Sequence, residues 1–475
     1  MSTLARGPLL ALSAATSALL LAVSGRYGYH RDELYFLAAG RHLDWGYPDQ
    51  PPLVPLLARL VSSVAPNSLV ALRVPSAVMA GAVVLLAGLM AHRLGARRGG
   101  QVLAAAATAL TGATLAMGHL LSTATASLLG WTVVTYLVLL LLQGGDRRLW
   151  LLVGLVAGLT AQANVLVGFL LLGLAAAWVL AGRRSLLRSR GPWLAGCTAL
   201  VLASPYLFWQ ARHGWPQLDV ASHIAAGGSG SAVSRTAFLP LVVLQVGPWL
   251  LPIWLLGLVR LLRDATLRCL AVAFLLLLLV FLVSGGKPYY VAGLVPLLLA
   301  AGAQPFLDRI RRPWVAPALL ALSAPAVLFA LPVLPASAAG PVLAVNPDLG
   351  ETIGWPDLVR EVAAAHRTLP PGTAILTGNY GEAGAVDRYG EGVGLPAAFS
   401  GHNGYGLWGP PPGSAPVLAV GLDGETLQRV CRELRPVGRI TSPHGIDNDE
   451  DGAALHYCVP RGPWRDLWPD FRHLG

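Results

Sequence analysis

Residues 29–60 read YHRDELYFLAAGRHLDWGYPDQPPLVPLLARL, directly after the apolar run 8–24. Setting His30, Arg31, Asp32 and Glu33 side by side at the edge of a greasy segment is costly where water is scarce, so the cluster needs a reason. The stretch is not itself a membrane span. Leu34, Leu37 and Ala38 recur on a helical period with Arg41 and His42 between the apolar turns. Pro48, Pro51 and Pro52 then break the chain before LVPLLARL opens a second short helix. Two amphipathic helices lying at an interface are expected, with Asp32 and Glu33 in the first turn of the first. Acids at that position are also what plain capping and the helix dipole favour.

The rest of the chain makes the membrane unavoidable. Of 475 residues, 55% are hydrophobic and 12% charged, about half the charge of a soluble globular protein. Apolar runs fall near 8–24, 68–91, 101–117, 121–143, 149–163, 165–181, 193–210, 238–259, 269–284, 289–303 and 313–335. About eleven spans are therefore expected within a membrane domain of residues 1–338, followed by a domain of mixed composition at 339–475. Only eight of the 24 acids precede residue 340, and four of those eight are Asp32, Glu33, Asp44 and Asp49.

Arginines orient the array. HRLGARRGG, GGDRRLW, GRRSLLRSRG, RLLRDATLR and LDRIRR separate apolar runs and belong on the cytoplasmic side, which puts the N-terminus inside. The first loop, the loop 210–237, the turn SGGKPYY and the tail then share the external face of the plasma membrane. The first run is read as a retained span rather than a cleaved signal. The net charge of +10 is spread over the loops of a membrane protein, which argues against a nucleic-acid partner.

Lys287, in SGGKPYY beside Tyr289 and Tyr290, is the only lysine in the chain. A compact point charge there suits a phosphate oxygen, and the flanking Gly and Pro open backbone N–H groups toward a ligand; a snorkelling residue beside an aromatic belt reads the same way. FWQARHGWPQLDVASHIAAGGSGS, residues 208–231, offers Arg212, His213 and Trp215. Such groups hold a lipid phosphate or stack on a sugar ring, or else form an aromatic belt with a glycine-rich tip. In the tail, AILT, APVLAVGL and AALHYCVP read as strands, and TLQRVCREL reads as a helix, giving a small α/β domain. GNYGEAG is a Gly-rich turn able to cradle an anion, but it has neither dinucleotide nor P-loop spacing. Cys431 and Cys458 are placed to form a disulfide; Cys197 and Cys269 read as packing residues, and no spacing supports a zinc site.

Taken together, YHRDELYFLAAGRHLDWGYPDQPPLVPLLARL, PYLFWQARHGWPQL, SGGKPYYVAGLVPLLLAAGA, TGNYGEAGAVDRYG and SGHNGYGLWGPPP resemble the bacterial glycosyltransferase family 39 proteins. These are GT-C enzymes related to protein mannosyltransferases and the lipid A aminoarabinose transferase. The resemblance implies a GT-C fold and transfer of a hexose or pentose, with inversion and without a metal or other cofactor. The donor is a polyprenyl-phosphate sugar, and the acceptor hydroxyl belongs to a glycan, lipid, protein or small molecule. Asp32 corresponds to the catalytic base, with Glu33 beside it. Lys287, Tyr289 and Tyr290 correspond to the carrier-phosphate site, to which Arg31 and Arg212 add charge; His30, His213 and Trp215 would face acceptor or sugar. The chain departs from the pattern twice: Ser127 stands where the family usually has Asp, and Ala163–Asn164 where it has Asn-Lys. A membrane protein that binds or translocates a lipid-linked saccharide without catalysis is the alternative. A conventional transporter would want an internal repeat or paired polar groups at mid-bilayer.

Overall fold

The computed structural model describes residues 3–227, 233–446 and 448–475. The glycine-rich tip at 228–231 therefore lies outside the described residues. The chain is mainly helical, beginning with α1 (Arg6–Val23), α2 (Arg31–Arg41), α3 (Leu53–Val64) and α4 (Leu69–Arg93). Next come α5 (Arg98–Ala109), α6 (Gly112–His119), α7 (Thr123–Leu142), α8 (Leu149–Ala161) and α9 (Val167–Leu180). The two short helices expected after the first apolar run are thus α2 and α3.

Every apolar run has a helical counterpart, but their lengths differ. Among the described residues, five helices are long and apolar enough to cross a membrane, or seven if α5 with α6 and Arg235–Val246 with Pro248–Arg263 each count as one bent span. Leu149–Ala161, Val167–Leu180, Arg268–Ser284 and Val315–Ala330 are shorter. A helix of 13 residues rises about 20 Å, short of a hydrocarbon core of about 30 Å. Length by itself therefore supports five to seven of the eleven runs as spans.

The tail forms a five-stranded sheet in the order β2-β1-β3-β5-β4, with β1 Ala374–Thr377, β2 Ala398–Ser400, β3 Val417–Val420, β4 Cys431–Arg439 and β5 Ala454–Pro460. β1 runs parallel to β2 and β3, whereas β5 is antiparallel to β3 and β4. TLQRVCREL is not one helix: it turns at Cys431 from the helix Gly424–Val430 into β4. Pro436, two residues past the stretch, could not continue a helix, and Cys431 is bonded to Cys458 on β5. Of the other cysteines, Cys269 is buried and Cys197 is exposed, so only Cys269 serves as a packing residue.

The sheet and the first loop share one core. Leu34, Tyr35 and Phe36 of α2 pack in a buried cluster with Trp355, Ile375, Val386 and Leu418 of the tail. The helix Tyr380–Tyr389 lies against α2 because two of its positions lack a side chain. A Cβ at Gly381 would come within 2.9 Å of the Arg31 Cβ, and one at Gly384 within 2.8 Å of the Leu34 Cβ. Gly381 and Gly384 of GNYGEAG therefore serve close helix packing, whereas a Cβ at Gly378 would meet the Gly421 carbonyl at 2.7 Å.

The start of α2 is anchored from below. The Glu33 carboxylate accepts from Arg73 Nε at 2.9 Å and Nη2 at 2.7 Å, from the Leu121 N–H at 3.0 Å and from the His30 N–H at 2.9 Å. Arg73 also donates to the carbonyls of Ser24 and Gly28, at 2.9 and 2.8 Å. Both charged side chains are fully buried. A pair so placed tolerates the loss of neither partner. Arg73→Met is expected to cost about 3–5 kcal/mol, and adding Glu33→Gln should restore part of it. Thermal unfolding of the two variants in detergent measures the difference.

Candidate active site

Asp32 stands in the first turn of α2, with its side chain 40% exposed. The hydroxyl of Tyr380 donates to its Oδ1 at 2.8 Å, so the tail positions the acid that the first loop supplies. His30 caps the helix: its Nδ1 accepts the Asp32 N–H at 3.2 Å, and its Nε2 lies 3.6 Å from Asp348 Oδ1. Burial pulls the His30 imidazole down, but Asp348 and Asp32 outweigh it and raise the ring to about 9. Protonation of Nδ1 exchanges the cap for attraction to Asp32 Oδ2, 3.9 Å away. Burial pushes the Asp348 carboxyl up, while His30, Arg31 and Lys287 bring it down to about 2.

Lys287 precedes the helix Pro288–Arg309 and lies within electrostatic reach of the same acids. Burial draws its ammonium below the usual lysine range against the pull of Asp32 and Asp348. Arg31 reaches the tail, with Nη1 2.9 Å from Asp449 and 3.5 Å from Glu351. Four segments distant in sequence thus meet around Asp32: the first loop, the Lys287 turn, residues 348–351 and the start of the helix Tyr380–Tyr389.

The remaining positions divide. Tyr289 and Tyr290 line a cleft together with Ser127 and Asn164, so the two departures from the family pattern face the tyrosine pair across one space. Asn164 spends its Oδ1 on the Leu166 N–H at 2.9 Å. Glu33 and His30 lie beneath the site rather than in its opening, at 0% and 4% exposure. Their geometry is that of helix-start residues. Arg212, His213 and Trp215 are exposed at the C-terminal end of the helix Arg190–Arg212 and just beyond it. Arg212 stacks on Phe208 and His213 on Trp209, while Trp209 is tied to the first loop by its Nε1 donating to Asp44 at 2.7 Å. None of the three makes a described contact with the Asp32 group.

Sequence reading passed over Asp49, Tyr35, Tyr380 and Asp348. The Tyr35 hydroxyl donates to Asp49 Oδ1 at 2.8 Å and accepts the Gly404 N–H at 3.0 Å, joining GYPDQPP to SGHNGYGLW. Burial pushes the Asp49 carboxyl up to about 7, with Tyr35 opposing and Asp32 adding to the rise. Its membership in the run of four early acids was the available signal. For Asp348 the sequence holds no comparable signal, since it is one of sixteen tail acids.

Comparisons with known proteins bear on the fold. A family model described as dolichyl-phosphate-mannose-protein mannosyltransferase matches residues 49–209. No curated protein matches the chain. Among solved structures, ArnT from Cupriavidus metallidurans bound to undecaprenyl phosphate is similar, with a TM-score of 0.59 at 16% identity, covering 94% of this chain and 97% of that one. Its apo form gives 0.60 at 16% identity, covering 96% and 98%. The arabinofuranosyltransferase AftD from Mycobacteria gives 0.50 at 16% identity, covering 97% of this chain and 42% of that one. The resemblance read from the sequence to GT-C glycosyltransferases is thus met in a segment of sequence and across the fold.

The state of Asp49 is measurable. An unfolded Asp ionises near pH 4, and the folded group holds its proton to about 7. Folding therefore takes up a proton between those values, and this group's contribution to stability falls as pH rises from about 4 to 7. Asp49→Asn should show a smaller drop in Tm between pH 5 and 7.5 than the parent protein.

Proposed function

We propose that this chain, which shares the fold of GT-C glycosyltransferases, transfers a sugar from a polyprenyl-phosphate donor to an acceptor hydroxyl, with Asp32 as general base. The observation that carries the reading is the position of Asp32. It is a carboxylate with a 40% exposed side chain, oriented through Oδ1 by the Tyr380 hydroxyl and with Oδ2 3.9 Å from His30 Nδ1. An acceptor O–H bonded to that oxygen becomes a better nucleophile as the proton moves to the carboxylate during attack on the anomeric carbon. The C–O bond to the carrier phosphate breaks with inversion, and negative charge collects on the departing phosphate. Lys287, already in the field of Asp32 and Asp348, adds positive charge that stabilises it. Arg31 contributes to the field, but its guanidinium is shared with Asp449 and Glu351.

No cluster of three metal-ligating side chains occurs among the described residues. The Ser127–Asn164–Tyr289–Tyr290 cleft supports placement of the donor beside Lys287. It presents hydroxyl and amide groups without a formal charge, which suits a neutral sugar. The first loop and the tail lie on one side because they share a core. That this side is external is supported by the basic loops that separate the spans.

Asp32→Asn preserves shape and removes the base. Transfer should fall by about 10²–10⁴-fold with unfolding temperature nearly unchanged; wild-type turnover in that variant overturns the assignment. Lys287→Gln should weaken turnover while Asp32 remains in place. Mass spectrometry of lipids and glycans from cells with and without the gene names the donor and product together. A donor that binds but is never consumed would favour the non-catalytic alternative.

A further inference from the structure

A second polar space lies beyond the α2 helix start, between α2, α3, the α3–α4 connection and the helix Tyr380–Tyr389. It has a volume of about 180 Å³ and is lined by Arg41, Arg59 and Arg388, with no carboxylate in its wall. None of the three guanidiniums has a described carboxylate within ion-pair distance. Asp387 feels the Arg41 charge but makes its hydrogen bonds elsewhere. Asp387 accepts the Ala398 N–H at 3.0 Å and the Tyr405 hydroxyl at 2.8 Å, and Glu33 is held by Arg73.

Arg388 is set in place before any ligand arrives. Its guanidinium lies 5.3 Å from the ring centres of both Tyr29 and Tyr389 and donates to the Asn67 carbonyl at 3.4 Å. Arg41 and Arg59 are exposed. Three like charges facing one space repel one another, and a dianion among them relieves that repulsion while accepting several charge-assisted hydrogen bonds. The floor is apolar, with Leu37 and Leu72. On the neighbouring outer face of α3, Leu56, Leu60 and Val64 are 39%, 55% and 86% exposed, as expected for a helix lying in lipid.

We infer that this arginine pocket binds the phosphate headgroup of a membrane lipid, with the acyl or prenyl chain leaving along Leu60 and Val64. The space exceeds what a phosphate alone fills, and its apolar floor and lipid-facing rim suit an amphiphile better than a free ion. The inference does not depend on the proposed transfer reaction.

The test uses the full chain in neutral detergent. Dioleoylphosphatidylglycerol, dioleoylphosphatidylcholine, undecaprenyl phosphate and inorganic phosphate are titrated separately, read by native mass spectrometry and by the ligand-induced shift in Tm. An R59Q/R388Q variant should bind phosphatidylglycerol, undecaprenyl phosphate or both about tenfold more weakly, with the Tm shift lost. R147Q/R148Q, in the basic loop between α7 and α8, should bind as the parent does. Whichever anionic lipid loses affinity identifies the source of the headgroup. Unchanged binding of both lipids overturns the inference, as does inorganic phosphate or phosphatidylcholine binding as tightly as the anionic lipids. Because Arg388 also bonds Asn67, R59Q alone carries the same expectation should the double variant unfold. Asp32→Asn should retain the headgroup, so loss of transfer and loss of this site are read separately.

Discussion

The buried Glu33–Arg73 pair is the constraint on which the site depends. Two opposite charges without water persist only where geometry satisfies every lone pair and proton, and here four donors converge on one carboxylate. The consequence is positional. Arg73 belongs to the long helix α4, so the first turn of α2 is bolted to it, and the side chain next to Glu33, about 100° further round the helix, is left 40% exposed. Adjacent acids thereby take opposite roles: Glu33 is spent holding the helix start, and Asp32 is left accessible.

From that anchor the tail is added by shape. Glycine at 381 and 384 lets the helix Tyr380–Tyr389 approach α2 at backbone distance, which brings the Tyr380 hydroxyl to Asp32. Tyr35 works from the same helix in the other direction, linking Asp49 with the Gly404 backbone. The sheet domain therefore supplies one side of the cluster around Asp32. The same helix pair carries Arg41 and Arg388 away from Asp32 to the arginine pocket, so the two polar spaces share a scaffold while differing in charge.

Much of this was legible in advance because bilayer physics is severe. Long apolar runs, basic segments between them and a charge cluster at 30–33 admit few readings, and the two short helices of the first loop, the sheet and the Cys431–Cys458 bond all appear in the fold. The error over TLQRVCREL has a local cause: helix-forming residues there are overruled by pairing with β5 and by the disulfide. His30 was read as a ligand-facing group because its role as a cap depends on a bond to the next turn, which composition does not display.

Residue types and their order are enough to establish a multi-span membrane protein, a privileged first loop and Asp32 as the acid to examine, because desolvation cost acts on each residue separately. Which acid meets which cation was decided by the fold. Asp348 with His30, Tyr380 with Asp32, and Ser127 with Asn164 and the tyrosine pair are separated by tens to hundreds of positions, and their encounters depend on helix packing at glycine-lined surfaces. Electrostatic interaction falls with distance in space, and distance along the chain carries almost no information about it.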